Sequence, residues 1–276
     1  MKLVFLDIDG TLTVPGENVP PDSAIKAMEM AKANGHKMFL CTGRNLGMLK
    51  PLLTFPYDGV ISSSGGYVTC SGEILYDNPM PRERLQQALD VLHAHSVFCT
   101  IEGKDQSFAD SNIGSFIGNS GKGNSELERW RKAIESSLGI LPIDQYDGRP
   151  IYKFALMSAS TDNIDACREE LEEYFGFVVQ EDTGLGVANG ELQCKEFDKG
   201  TGVKQIAAKL GVSIEDTIGF GDSMNDLQML ETCGTSVCMD NGAETLKKLA
   251  DVVCPSVTED GLYQAFIQLG LISAEK

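Results

Sequence analysis

The stretch LVFLDIDGTLT, residues 3–13, runs four apolar residues straight into two aspartates one residue apart, followed by Gly10 and Thr11. An apolar run without alternation predicts a short strand buried on both faces, as in a parallel sheet flanked by helices. Carboxylates at the end of such a strand cost on the order of several kcal/mol unless a cation or a hydrogen-bond network compensates them. Asp7 at such a place can attack phosphorus and form an acyl-phosphate. Asp9, two residues on, can protonate the leaving oxygen and then activate water. Repulsion between the two favours one binding a cation while the other holds a proton. Gly10 permits the sharp exit that turns Asp9 back toward Asp7, and the Thr11 hydroxyl can pin that turn.

Outward from this stretch, strand and helix patterns alternate. PPDSAIKAMEMAKANG predicts a helix capped by Asp22 or Ser23, with Ile25, Met28 and Ala31 turned inward and Gly35 as its stop. HKMFLCTG predicts a second strand, LGMLKPLLTF a helix interrupted at Pro51, and YDGVISSSGG a third strand. The rhythm returns late in the chain. KGTGVKQIAAKLG reads as a helix with Val203, Ile206, Ala207 and Leu210 on one face; EDTIGFGDS, TSVCMDNG and DVVC read as strands, and MNDLQMLETCG and AETLKKLA as helices. The expectation is an α/β fold with a doubly wound, mainly parallel core sheet built from residues 1–80 and 186–276. Ligands of such sheets bind beyond the carboxyl ends of the strands, where Asp7, Thr42 and Asp222 all fall.

Residues 81–185 have another character and are expected to form an inserted α/β unit. Helical patterns RERLQQALDVLHAH, SELERWRKAIESSLG and NIDACREELEEYFG interleave there with strand candidates VFCTIEG, IYKFALMSA and FVVQED. The Gly-, Ser- and Asn-rich residues 103–125 predict a loop.

The chain has 276 residues, which fits two domains or one with a large insertion, and 42% apolar residues, enough for a full core. A formal net charge of −17 argues against nucleic acid and anionic membranes as partners, but not against a small phosphorylated molecule bound at a locally positive site. Eight cysteines occur without a Cys-x-x-Cys, so the expectation is reduced, buried thiols in a cytoplasmic protein. No apolar stretch approaches the roughly 20 residues that span a bilayer. His36, His93 and His95 show no metal-ligand spacing with the cysteines, so no zinc site is expected.

A further acidic cluster lies in GFGDSMND, where Asp222 and Asp226 flank Asn225. All-oxygen ligation suits Mg²⁺. CTGR brings a hydroxyl and backbone N–H groups to a phosphate, and Lys199 can neutralise phosphate oxygens. Each feature alone has a plainer reading: an Asx turn for the first pair, a turn hydroxyl for Thr42, a solvated lysine, a helix-dipole acid for Asp226, and a surface ion pair for Arg44.

Together DIDGTLT, CTGR, Lys199 and GDSMNDLQML resemble the four motifs of the haloacid dehalogenase-like phosphatases, in order along the chain. The position of the insert and the ending ADVVCPSVTEDGL resemble the Cof type with a type IIB cap. The resemblance implies Asp7 as nucleophile and Mg²⁺ ligand, and Asp9 as acid/base with its main-chain carbonyl on the metal. It also implies Thr42, Gly43, Lys199 and Asn225 at the phosphate, Asp222 completing the metal site, and Asp226 and Thr11 in support. The cap would close over the substrate and select the leaving group, with contacts around 103–125 and 181–190. Where many relatives read Asn-Gly after the third strand, this chain has Ser64-Gly65-Gly66. The expected activity is hydrolysis of a small phosphorylated metabolite, a sugar phosphate among the candidates. A phosphomutase and a receiver-like phospho-aspartate switch are the alternatives.

Overall fold

A computed structural model describes residues 1–111, 140–179 and 188–274. Among them the strands are β1 (Leu3–Leu6), β2 (Lys37–Cys41), β3 (Gly59–Ser62), β4 (Tyr67–Cys70), β5 (Glu73–Asp77), β6 (Phe98–Gly103), β7 (Ser107–Ala109), β8 (Leu141–Pro142), β9 (Ile151–Ser158), β10 (Phe175–Val179), β11 (Ala188–Cys194), β12 (Thr217–Gly221), β13 (Thr235–Met239) and β14 (Val252–Cys254). The chain divides into two units: Met1–Arg44, Leu49–Asp77 and Phe197–Lys276 form one, and Asn45–Met48 with Asn78–Glu196 the other.

The first unit carries an eight-stranded sheet in the order β14-β13-β12-β1-β2-β3-β4-β5. Pairing is parallel from β14 through β3 and antiparallel from β3 to β5. All four residues of β1 are buried, as the apolar run predicts. Each large apolar side chain so buried contributes about 1.5–3 kcal/mol. Phe5 stacks on Phe39 at 5.0 Å between ring centroids, and Val203, Ile206 and Ala207 from helix Lys199–Leu210 close the core over them. Leu6 pairs with Phe220 and Leu40, and Cys41 with Ile61, so the strand ends at Asp7, Thr42, Ser62 and Asp222 share one edge.

Helix Asp22–Ala33 starts after Pro21, which occupies the cap position without a side-chain bond; Asp22 therefore sits in the first turn, where it complements the helix dipole. Its buried face is Ala24, Ala27, Met28 and Ala31, leaving Ile25 half-buried. The hairpin β4–β5 is not in the sequence reading, although Ser71-Gly72 is a hairpin signal: both residues take positive φ, 51° and 83°, as a two-residue turn of matching twist requires.

The second unit carries a six-stranded sheet, β10-β11-β9-β6-β7-β8, antiparallel except between β7 and β8. Helices Arg82–Ala94 and Thr161–Leu171 bury Leu85, Ala88, Leu92, Ile164, Cys167 and Leu171. β11 extends this sheet by pairing with β9 and β10, so the residues through Glu196 belong here and the division does not fall at 185. Within the expected loop 103–125, Ser107–Ala109 instead forms β7, because Phe108 is fully buried and Ser107 pairs with Glu102. Residues 112–125 of that segment, the helix expected over 125–139 and most of 181–190 lie outside the described residues. All eight cysteines are free and buried. No helix of the described residues is long and apolar enough to cross a membrane.

Candidate active site

The site forms where β1, β2 and β12 end. Asp7 continues β1 by one residue, its N–H donating to Phe220 O at 3.0 Å, and the residue is 5% exposed. Lys199, the first residue of helix Lys199–Leu210, is fully buried in its side chain; the helix is capped by Asp198, whose side chain accepts from Thr201 N–H. That cap aims the lysine at the strand ends. Its Nζ donates to Asp7 Oδ1 at 2.7 Å, Asp226 Oδ1 at 2.6 Å and Asn225 Oδ1 at 3.2 Å.

Asp226 has its other oxygen taken by the N–H groups of Asp222 and Ser223, at 3.0 and 3.1 Å. It is thus a brace that fixes both Lys199 and the turn carrying Asp222. Asp222 accepts from the Thr11 hydroxyl at 3.0 Å. A Cβ at Gly10, which has φ +93°, would run into the Asp222 carboxylate, so only glycine serves there. Asn241, from the loop after β13, donates to the Gly10 carbonyl at 2.8 Å.

Asp7, Asp222 and Asp226 each offer an oxygen within 4.8 Å of the others. Burial, with Asp226 next, pushes the Asp7 carboxyl up to about 7 against the pull of Lys199. Burial, then Asp7 and Asp226, raise Asp222 well above the carboxylate range. Burial alone would depress the Lys199 ammonium, but Asp226 and Asp7 outweigh it and hold it charged. With all three carboxyls ionised, they would face one ammonium and leave two negative charges unbalanced among these residues. An all-oxygen set with that deficit fits a hard divalent cation. Because Asp226 is fully engaged, Asp7 and Asp222 are the side chains able to hold it.

Asp9 stands apart from this trio. Its carboxylate takes a bidentate pair from Arg44, Nε to Oδ2 at 2.8 Å and Nη2 to Oδ1 at 2.6 Å, and also accepts from Gly16 N–H at 3.2 Å. Arg44 is 3% exposed and donates further to Asn18 Oδ1 at 2.6 Å, so the ion pair expected at the surface is buried at the site. Thr42 Oγ1 accepts from Arg44 N–H at 3.1 Å, closing the turn that contains Gly43. Ser64 N–H donates to Thr42 O at 3.1 Å and Ser63 N–H to Arg44 O at 3.0 Å. Ser63 and Ser64 both lie at positive φ, 49° and 54°, conformations costly for residues with a Cβ. Arg44, Asn241 and this pair were not assigned from the sequence; the run of three serines and two glycines was the available signal for the last.

Residues 4–266 match the family described as haloacid dehalogenase-like hydrolase. YkrA of Bacillus subtilis (strain 168) is 30% identical over 98% of both chains. The pyridoxal phosphate phosphatase YbhA of Escherichia coli (strain K12) is 25% identical over 98% of this chain and 99% of its own. Among solved structures, the HAD subclass IIB sugar phosphatase BT4131 superposes with a TM-score of 0.80 at 23% identity, covering 99% of this chain and 100% of its own. The chain belongs to the haloacid dehalogenase-like hydrolases, in their Cof type. It is a phosphatase of that family.

Proposed function

We propose that this phosphatase is Mg²⁺-dependent and hydrolyses a small phosphorylated metabolite through an aspartyl-phosphate on Asp7. One observation carries the reading: three buried carboxylates gathered at the strand ends against a single lysine. Asp7 and Asp222 would hold the ion, with the Asp9 carbonyl beside them; when bound it would neutralise the carboxylates and draw charge from the phosphoryl oxygens.

Lys199 fixes one oxygen of Asp7 and leaves the second to attack. As the Asp7–phosphorus bond forms, the bond to the leaving oxygen breaks, and Asp9 supplies that oxygen with a proton. Asp9 then takes a proton from water, whose oxygen attacks phosphorus and frees Asp7 and inorganic phosphate. Serving in either step requires the Arg44 pair to open or turn. Thr42, Gly43 and the amide –NH₂ of Asn225, whose oxygen is taken by Lys199, are the donors for the phosphate oxygens. Residues 78–196 are assigned the choice of leaving group.

Sugar phosphates and pyridoxal phosphate head the substrate panel, since the similar proteins BT4131 and YbhA carry those names. The test is phosphate release over a panel of sugar phosphates, nucleotides, phospho-acids and pyridoxal phosphate, with Mg²⁺ against EDTA. Rapid quenching with radiolabelled substrate then looks for label on Asp7. Turnover that persists in EDTA, or a quenched enzyme free of label during a burst, would remove the mechanism.

A further inference from the structure

The second unit holds a cluster that the phosphatase chemistry does not use. His93 lies in the last turn of helix Arg82–Ala94, Cys99 is the second residue of β6, and Asp110 follows β7 directly. Their sequence spacing matches no common metal motif; the β6–β7 hairpin and the packing of the helix bring them together. His93 Nε2 stands 3.1 and 3.2 Å from the two Asp110 oxygens and 3.9 Å from Cys99 Sγ. One donor atom from each residue lies within 4.8 Å of the others.

We propose that Cys99, His93 and Asp110 form a binding site for a transition metal of the zinc class, separate from the oxygen-lined site at Asp7.

The geometry suits the ion. Zn–S, Zn–N and Zn–O bonds of ordinary length in a tetrahedron place ligand atoms about 3.3–3.7 Å apart, close to the spacing seen before any adjustment. Asp110 is held from behind: Cys99 N–H donates to Asp110 Oδ2 at 2.7 Å, and Asp110 N–H returns a bond to Cys99 O at 3.0 Å. Such outer bonds orient a ligating carboxylate. A surface cavity of about 440 Å³, lined by His93, Asp110, Ser96 and Ser111 among others, opens onto the cluster. It gives an ion a way in and leaves room for water as the fourth ligand.

The chemistry separates this site from the first. A thiolate and an imidazole select zinc or cobalt over magnesium, whereas Asp7 and Asp222 offer only oxygen. Without metal, burial and the neighbouring Asp110 keep the Cys99 thiol protonated, so metal binding releases that proton to solvent and leaves a Cys99–metal bond. The ion would tie the end of the helix to the hairpin.

The competing account is an exposed His93–Asp110 ion pair beside an inert buried thiol, and cobalt distinguishes the two. Full-length protein, stripped by chelation and returned to excess Mg²⁺, is titrated with Co²⁺. The expected result is one further equivalent bound per chain, with thiolate-to-cobalt charge-transfer absorption and the intense visible bands of a tetrahedral ion. Cys99→Ser should abolish the charge-transfer band. His93→Gln, at a side chain 48% exposed and therefore safe for folding, should weaken binding by about 10-fold or more. Absence of the band in folded wild type, or a band unchanged in both variants, overturns the proposal.

Discussion

Asp7 and Lys199 are mutually bonded and buried, yet the pair does not balance the site, because Asp222 and Asp226 are buried beside it. A carboxyl raised from 3.8 to about 7 binds its proton more tightly folded than unfolded. In metal-free protein its contribution to stability is therefore full below the unfolded value and lost as pH rises toward 7. Asp7→Asn removes this dependence. In EDTA, the melting temperature of wild type relative to Asp7→Asn should fall between pH 4 and pH 7, while with Mg²⁺ the variant should lose at least about 10⁴-fold in kcat with its circular dichroism unchanged. A parallel pair of pH–stability curves would show that Asp7 is not under this strain. Arg44 offers the second residue-scale test. Arg44→Lys keeps the charge but not the fork that grips both oxygens of Asp9. Loss of that alignment should lower kcat by about 10²-fold and alter the pH–rate profile, with little change in KM. Asp7, Thr42 and Asp222 are legible in the sequence because each directly follows a strand pattern, and Lys199 because it opens a helical pattern. The sequence did not reveal Arg44 as buried, since its partners Asp9 and Asn18 come from a separate loop.

Elements differed in legibility for a physical reason. β1 is an unbroken apolar run, and β2 and β12 are almost wholly buried with Met38, Phe39, Leu40, Ile218 and Phe220 carrying the apolar signal. β11, ANGELQC, carries polar residues and a glycine yet is buried along its length. Gly190 fits there because a Cβ would meet the Val178 carbonyl of β10, and Glu191 is tolerated because Lys153 of β9 donates to it at 2.6 Å. Glu102 of β6 lies 3.8 Å from the same ammonium, with all three side chains within 3% of full burial. Neither the pairing of distant strands nor a lysine hidden in IYKFALMSA can be read from local pattern. Lys153→Met should destabilise the protein by about 3–5 kcal/mol, because it removes the ammonium that both buried carboxylates face. Urea denaturation monitored in the second unit checks this, and the double change Lys153→Met with Glu191→Gln should recover part of the loss. No recovery would mean that packing, not charge, set the cost.

At the scale of the whole molecule, the division into two units follows from strand pairing, since among the described residues no strand of one sheet pairs with a strand of the other. The first unit's sheet is assembled from both ends of the chain and takes no strand from the described residues of 78–196. The chain leaves it after Asp77 and re-enters at Phe197, and these points lie close together: Tyr76 and Phe197 meet edge to face, with ring centroids 6.4 Å apart. The alternation of strand and helix made the core visible in sequence, whereas the point of re-entry depends on β11 joining the second sheet, a long-range pairing. Replacing residues 78–196 by a short Gly/Ser linker should therefore leave a folded protein that retains Asp7, Lys199, Asp222 and Asp226 in one site. It should still bind Mg²⁺ and hydrolyse a small ester such as p-nitrophenyl phosphate. If residues 78–196 choose the leaving group, kcat/KM values across the substrate panel should converge in the shortened protein, whereas the intact enzyme spreads them. Calorimetric Mg²⁺ binding establishes that the shortened site is formed, and the panel then reads selectivity alone. Preserved binding with preserved selectivity would move substrate choice into the first unit, where the strained Ser63–Ser64 turn at the end of β3 is the place to look.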